Sequence, residues 1–313
     1  MSSSSPETLA SCPVRAPRRR VDGVMVLDKP VGLTSNAALQ RARRLYAAEK
    51  AGHTGTLDPL ASGLLPLCFG DATKFAQALL DSDKEYVATV RIGIATTTGD
   101  SEGSETERGR GDFTREEIER VLPAFTGAIT QIPPRHSALK YQGRNYYDYA
   151  RKGIEIPRAA RSVTVHALRL VDCAAPDVVL RIKCSKGTYI RVLAEDIGRA
   201  LGSCAHLTAL RRTATGPFTL AGAVTLEALE ALVTPARDAL LLPSDVLLGA
   251  MPRQDVEHGV ARALRQGKRA GAVDPAVHGR FRCYGPNAEF LGIVECSGGE
   301  LRPVRLLRTD SSA

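Results

Sequence analysis

Asp58 is the one acid in Ala51-Gly52-His53-Thr54-Gly55-Thr56-Leu57-Asp58-Pro59-Leu60-Ala61-Ser62-Gly63, a stretch of glycines, a proline and small hydroxyl residues. Such a composition makes neither a regular helix nor a central strand, so it is a tight loop beside the apolar run that follows. Pro59 biases Asp58 toward an extended backbone and removes a competing N–H, which helps hold the carboxylate in one direction. A carboxylate acting alone is a modest nucleophile or base. It needs a dry pocket and an orienting partner, most simply a guanidinium. Arg191 is a possible partner, but spacing in the sequence cannot show contact. A glycine-rich turn capped by an aspartate would have the same composition, and the loop alone does not separate the two readings.

Other chemistries lack their signatures. There is no P-loop, HExxH, GxSxG or GxGxxG. His53 and Asp58 on one loop make neither a triad nor a metal site. The seven cysteines are scattered without a CxxC pair, which argues against a zinc site or a disulfide framework; Cys68 and Cys184 sit in apolar surroundings as small core residues. No metal and no cofactor is expected.

The elements that must position the loop follow from hydrophobic pattern. The 313 residues suffice for a well-buried core and more than one domain, and the net charge of +8 leans toward an anionic partner. No apolar run approaches the roughly 20 residues that cross a bilayer, and the N-terminus lacks the apolar core of a secretory signal, so a cytoplasmic protein is expected. Residues 1–21 form a basic tail without periodicity, expected to be disordered. Val24 to Leu27 is a short strand, Thr34 or Ser35 caps a helix bearing Leu39, Ala42 and Leu45, and Leu64 to Phe69 is an apolar strand. From Glu85 to Ile94 the residues alternate, with Tyr86, Ala88, Val90, Ile92 and Ile94 on one face; a packed core tyrosine is the plain reading of Tyr86. Thr97 to Gly111 is a polar loop, and Thr114 with Glu117 forms a capping box before an amphipathic helix. Val178 to Cys184 alternates again, a helix runs from Val192 to Leu201 and stops at Gly202, and Leu207 to Arg212 is a short strand. Beyond residue 250, glycines recur between short apolar runs, the pattern of a small β-barrel or sandwich.

Residues 132–169 differ from their surroundings. Eight basic residues stand against two acids, with Tyr141, Tyr146, Tyr147 and Tyr149 interleaved. Cations hold phosphates and aromatic faces stack on unpaired bases, so Arg144, Arg151 and Lys152 are candidate RNA contacts. A tyrosine-rich helix over Asn145–Lys152 that buries its rings and solvates its charges is the competing reading.

Five stretches carry a family resemblance: Gly23-Val24-Met25-Val26-Leu27-Asp28-Lys29-Pro30, the loop around Asp58, Ser137-Ala138-Leu139-Lys140-Tyr141-Gln142-Gly143, Cys184-Ser185-Lys186-Gly187-Thr188-Tyr189-Ile190-Arg191, and Leu210-Arg211-Arg212. In order and spacing they resemble the bacterial TruB-type tRNA pseudouridine-55 synthases over residues 22–250, with residues 251–313 similar to the family's small RNA-binding PUA domain. The resemblance implies an α+β fold, a mixed, largely antiparallel sheet flanked by helices and loops, plus the small β-barrel-like C-terminal domain. It implies that Asp58 is the nucleophile for turning uridine into pseudouridine in the T loop of tRNA, with Arg191 its partner and Tyr86 the aromatic stacked on the flipped uracil. Tyr189 and Leu210 are similar to pocket residues flanking the base, and His53 to the residue that fills the space the nucleotide leaves. Lys29 and Pro30 match a motif that supports the site, and Lys29 is counted with the substrate-binding residues. His136 departs from the aromatic that relatives carry in the Pro-Pro-x-x-Ser-Ala stretch, which puts a stacking role there in doubt.

The implied partner is the T arm of tRNA, with no membrane, no obligate protein partner and a monomeric chain. Two other readings stay open: a tRNA-binding folding helper in which catalysis is secondary, and an RNA-binding protein without catalysis. Mere binding has no need of Asp58, Tyr86 and Arg191 together.

Overall fold

The computed structural model describes residues 17–308 apart from 138, 272, 273 and 275. In chain order β1 (Gly23–Lys29) leads to α1 (Ser35–Leu45), and β2 (Ala51–His53) and β3 (Ala61–Phe69) bracket the glycine-rich loop. Next come α2 (Ala76–Leu80), β4 (Lys84–Ile92), a side hairpin of β5 (Ile94–Thr96) and β6 (Glu105–Arg108), then α3 (Arg115–Val121) and β7 (Gly127–Gln131). An insertion carries β8 (Lys140–Tyr141), β9 (Arg144–Asn145) and α4 (Tyr146–Ala150) before β10 (Arg161–Ala174), β11 (Asp177–Cys184), α5 (Ile190–Ala200) and β12 (Ala205–Thr215). Short pieces close this part: β13 (Phe218–Thr219), β14 (Val224–Thr225), α6 (Leu226–Ala231) and α7 (Thr234–Asp238). The C-terminal part holds β15 (Arg253–Asp255), α8 (His258–Arg265), β16 (Ala270–Gly271), β17 (Gly279–Tyr284), β18 (Phe290–Ser297) and β19 (Glu300–Leu306).

The large sheet runs β14-β1-β3-β12-β4-β11-β10-β7, with β2 added on β3 and β13 on β12. Its pairs are antiparallel except β1 with β14 and β3 with β12, which is the expected mixed, largely antiparallel sheet. The apolar runs of β1 and β3 are explained by burial on both faces. Met25, Leu27, Leu65 and Leu67 pack under α1 and α6, while Val24, Val26, Leu64 and Cys68 pack on the other side with Phe75 and Leu79. From Ala88 to Ile92, β4 buries one face as its alternation requires, against Val178, Leu180 and Ile182 of β11 and Leu193 and Ile197 of α5.

The structure also corrects the sequence expectations. The alternation does not carry through Ile94, because Gly93, at φ +91°, ends β4 and turns the chain into the side hairpin. The polar loop after it contains β6, all four residues of which are exposed, so no apolar period marked it. Of the tail, residues 17–21 belong to the fold: Arg19 bridges to Ala48 and donates from Nε to Tyr46 O at 3.0 Å, and Val21 is buried. Residues 1–16 lie outside the described residues. The last five strands form a separate half-barrel sheet, β15-β17-β18-β19-β16, packed around Leu264, Val294, Cys296 and Leu301.

Candidate active site

Asp58 is held from both sides by backbone geometry. Thr34 caps α1 by accepting from Ala37 N, which frees Ser35, the next residue, to turn inward. The buried Ser35 hydroxyl accepts from Leu57 N at 2.7 Å and donates to Leu57 O at 2.9 Å, clamping the residue before the acid. The residue after it, Pro59, accepts from Gly32 N at 2.8 Å. Gly32 is presented by a turn that Lys29 ties together, its ammonium donating to Pro30 O at 2.8 Å and Leu33 O at 2.6 Å. Lys29 is fully buried, and burial pushes its pKa down to about 8 while the Asp58 charge acts the other way. Both of its contacts run to the turn behind the acid, as expected of the motif that supports the site.

The Asp58 carboxylate meets Arg191 at 2.9 Å, the acid side chain 44% exposed and the arginine 8%. The acid is therefore the member that an incoming molecule can reach. Arg191 is anchored deeply: Nη1 donates to Thr98 O at 2.9 Å and Nη2 to His136 O at 2.7 Å. A second acid, Asp100, lies 3.5 Å from Nη1 with its side chain 3% exposed. Asp100 is fixed in turn by the Thr98 hydroxyl and by Glu102 N, at 3.1 Å. The sequence reading passed over Asp100 inside a polar loop; the run of three threonines ahead of it was the available signal. His136, flagged as a departure, contributes a backbone carbonyl that any residue supplies.

Arg191 sits in the first turn of α5, and the start of that helix is fastened by Gln131 at the end of β7. The Gln131 amide accepts from Tyr189 N at 3.0 Å and donates to Tyr189 O at 3.2 Å. Tyr189 is half-buried beside the pair, and burial raises its phenol pKa. Tyr86 and Leu210 stand on neighbouring strands and touch both main core clusters, so they line the seam between them. The charge of Asp58 is felt at Lys29, Tyr86, Glu102 and Tyr189, which marks these groups as neighbours of one cleft. Burial, the largest influence, raises the pKa of the Glu102 carboxyl at the rim.

His53 ends β2 with its Nδ1 buried and without a partner among the described residues, and burial holds its pKa low. A lowered pKa favours the neutral imidazole, with one ring nitrogen a donor and the other an acceptor. Arg144, Arg151 and Lys152 are exposed on the insertion, with Arg151 over the Tyr147 ring at 5.4 Å. The tyrosines divide: Tyr146 is buried, Tyr141 and Tyr149 pack edge-on at 5.9 Å, and Tyr147 stays exposed. A half-open pocket of about 110 Å³ on the insertion is lined by Arg135, Tyr146 and Ile154, and does not include Asp58.

An exposed carboxylate against a buried guanidinium, beside a slot walled by an aromatic and a leucine, suits nucleophilic or proton-transfer chemistry on a planar ring. Residues 43–190 match the TruB family pseudouridylate synthase N-terminal domain, 191–249 the tRNA pseudouridylate synthase B C-terminal domain, and 252–307 a further TruB C-terminal domain. Proteins named tRNA pseudouridine synthase B from Burkholderia mallei and Aromatoleum aromaticum are each 53% identical to it. The match covers 94% of this chain and 97% of the first relative, and 97% and 98% for the second. Among solved structures, an H/ACA ribonucleoprotein bound to a substrate RNA containing 2'-deoxyuridine matches with a TM-score of 0.69 at 25% identity, over 92% of this chain and 86% of that one. An archaeal box H/ACA protein complex matches with the same TM-score at 26% identity, over 92% and 87%. By fold, by site and by these matches along nearly its whole length, the chain belongs to the TruB family of pseudouridine synthases.

Proposed function

We propose that the protein isomerises uridine to pseudouridine in tRNA, at position 55 of the T loop, with Asp58 as the catalytic carboxylate. The observation that carries this reading is the reachable Asp58 carboxylate held 2.9 Å from a buried Arg191 beside Tyr86 and Leu210. The glycosidic bond from ribose C1′ to base N1 breaks, the uracil turns in the slot, C5 joins C1′, and the C5 proton is lost as N1 gains one. The change is redox-neutral. Asp58 acts at C1′, at C6 of the base, or by taking a ribose proton in a glycal route; each demands a charged carboxylate held in one direction. Arg191 supplies that hold, and the partly buried Tyr86 and Leu210, on adjacent strands, offer the planar base apolar surface.

A base inside a folded loop must first be extruded, and the vacancy it leaves refilled. His53, at the end of β2 and with burial favouring its neutral form, suits that task. The 53% identity to relatives named as tRNA enzymes supports tRNA as the substrate. The test is incubation with an unmodified tRNA transcript and mapping of pseudouridine. Asp58→Asn is expected to bind the transcript but form none; turnover by this variant at the normal rate would remove Asp58 from the mechanism, and pseudouridine at other positions only would overturn the T-loop assignment.

A further inference from the structure

Arg212 is 1% exposed and one of the largest fully buried side chains in the protein. Its partners are backbone carbonyls rather than carboxylates: Nε donates to Leu64 O at 2.7 Å and Nη2 to Gly55 O at 3.0 Å. Withdrawing a guanidinium from water without an acid beside it is costly, so a chain keeps such a group where its donors are needed.

The surrounding backbone is cut to fit it. At Gly55, φ is +80° and a Cβ would stand 3.1 Å from Nη1; at Gly63, φ is +99° and a Cβ would fall 2.3 Å from the Arg212 carbonyl oxygen. Glycine at both positions lets the acid-bearing loop and β3 close on the arginine. In its remaining direction Arg212 pairs in register with Tyr86 across β4 and β12. Burial, the larger influence, raises the Tyr86 phenol pKa, and the guanidinium together with its hydrogen bond pulls it back down. One buried cation thus touches the loop shortly before Asp58 and faces the aromatic on the opposite wall.

We propose that Arg212 is a positioning residue for the isomerisation: bound to the Gly55 carbonyl and facing the Tyr86 hydroxyl, it fixes the acid-bearing loop relative to the ring beneath the base. The proposal rests on the roles of Asp58 and Tyr86 given above.

The test is a double-mutant cycle between Arg212→Lys and Tyr86→Phe, with single-turnover rate, tRNA binding and melting temperature measured on the full chain. Arg212→Lys keeps the charge and loses the fork. Its rate is expected to fall about 30-fold with binding unchanged, and only about threefold in the Tyr86→Phe background, because neighbours that act together are not additive. Equal losses in both backgrounds, or no loss, overturn the proposal. Should Arg212→Lys fail to fold, Tyr86→Phe alone decides: it keeps the ring, removes the hydroxyl that faces the buried guanidinium, and is expected to melt about 3 °C or more below the parent. An unchanged melting temperature overturns the proposal. Melting does not involve the reaction, so a failure of the proposed activity shows separately, as turnover that is indifferent to Asp58.

Discussion

Arg191 serves two carboxylates of opposite exposure, Asp58 at the cleft and Asp100 beneath it. The lower acid does not face the cleft, and its hold on the guanidinium keeps the arginine from following Asp58 when a substrate displaces water. Asp100→Asn keeps the shape and an acceptor oxygen but removes the charge that opposes the arginine. Its kcat is expected to fall about tenfold or more, a loss of about 1.4 kcal/mol in transition-state stabilisation, with KM little changed. The same change weakens a buried charged contact, so the melting temperature falls by an amount matching about 1–3 kcal/mol. A rise in KM at constant kcat would mean that Asp100 acts on RNA binding and not on the acid pair.

The elements divide into those that present the acid and those that reach outward, and the insertion is of the second kind. Arg135 is tied to Glu155 and Arg158 to the Pro133 carbonyl, whereas Arg144, Arg151 and Lys152 are exposed around the short α4. Replacing these three by Gln is expected to weaken tRNA binding and to flatten its dependence on log salt by roughly two to three units, as three lost phosphate contacts require. An unchanged slope would make them solvated surface. The split among the tyrosines shows why sequence alone left both readings open: composition counts rings, while packing decides that Tyr146 is core and Tyr147 is not. The same division runs through the fold. Strands β1 and β3 were legible because both faces are apolar, and β4 and β11 because one face is. Strands β2 and β6 were not, being short, with no fully buried residue to set a period. The loop made Asp58 a candidate without separating a functional acid from a capped turn. The acid's need for a guanidinium made Arg191 a possible partner that the family resemblance then supported, and Arg212 gained its place only from strand register, which no spacing encodes.

At the scale of the molecule, the C-terminal sheet is docked on the catalytic sheet rather than tethered to it. Phe290, Ile293 and Leu307 pack against the cluster beneath β1 and β3, with Phe290 edge-on to Phe75 at 5.4 Å, and Tyr284 donates to Asp245 at 2.6 Å. The polar centre of this seam is Asp71, 5% exposed, which accepts from Arg308 N and from the Lys74 ammonium at 3.1 Å. Lys74 also donates to Leu306 O at 2.8 Å, so one acid and one amine lock the last strand to the catalytic part. Burial alone would raise the Asp71 carboxyl, but the Arg308 N–H and Lys74 outweigh it and hold the pKa below the ordinary value. A carboxyl lowered in the folded state binds fewer protons there than in the unfolded chain. Its contribution to stability is therefore full above the unfolded pKa of ~3.9 and is lost as pH falls through the lower folded value. Asp71→Asn is expected to cost about 1.5–3 kcal/mol at pH 7, read as a lower melting temperature or an earlier separate transition of the C-terminal sheet. That deficit shrinks below about pH 4, where the parent loses the same contribution. With the sheet loosened from a site it does not touch, KM for tRNA rises while single-turnover rate at saturation holds; a fall in that rate with KM unchanged would show that the seam acts on the cleft itself.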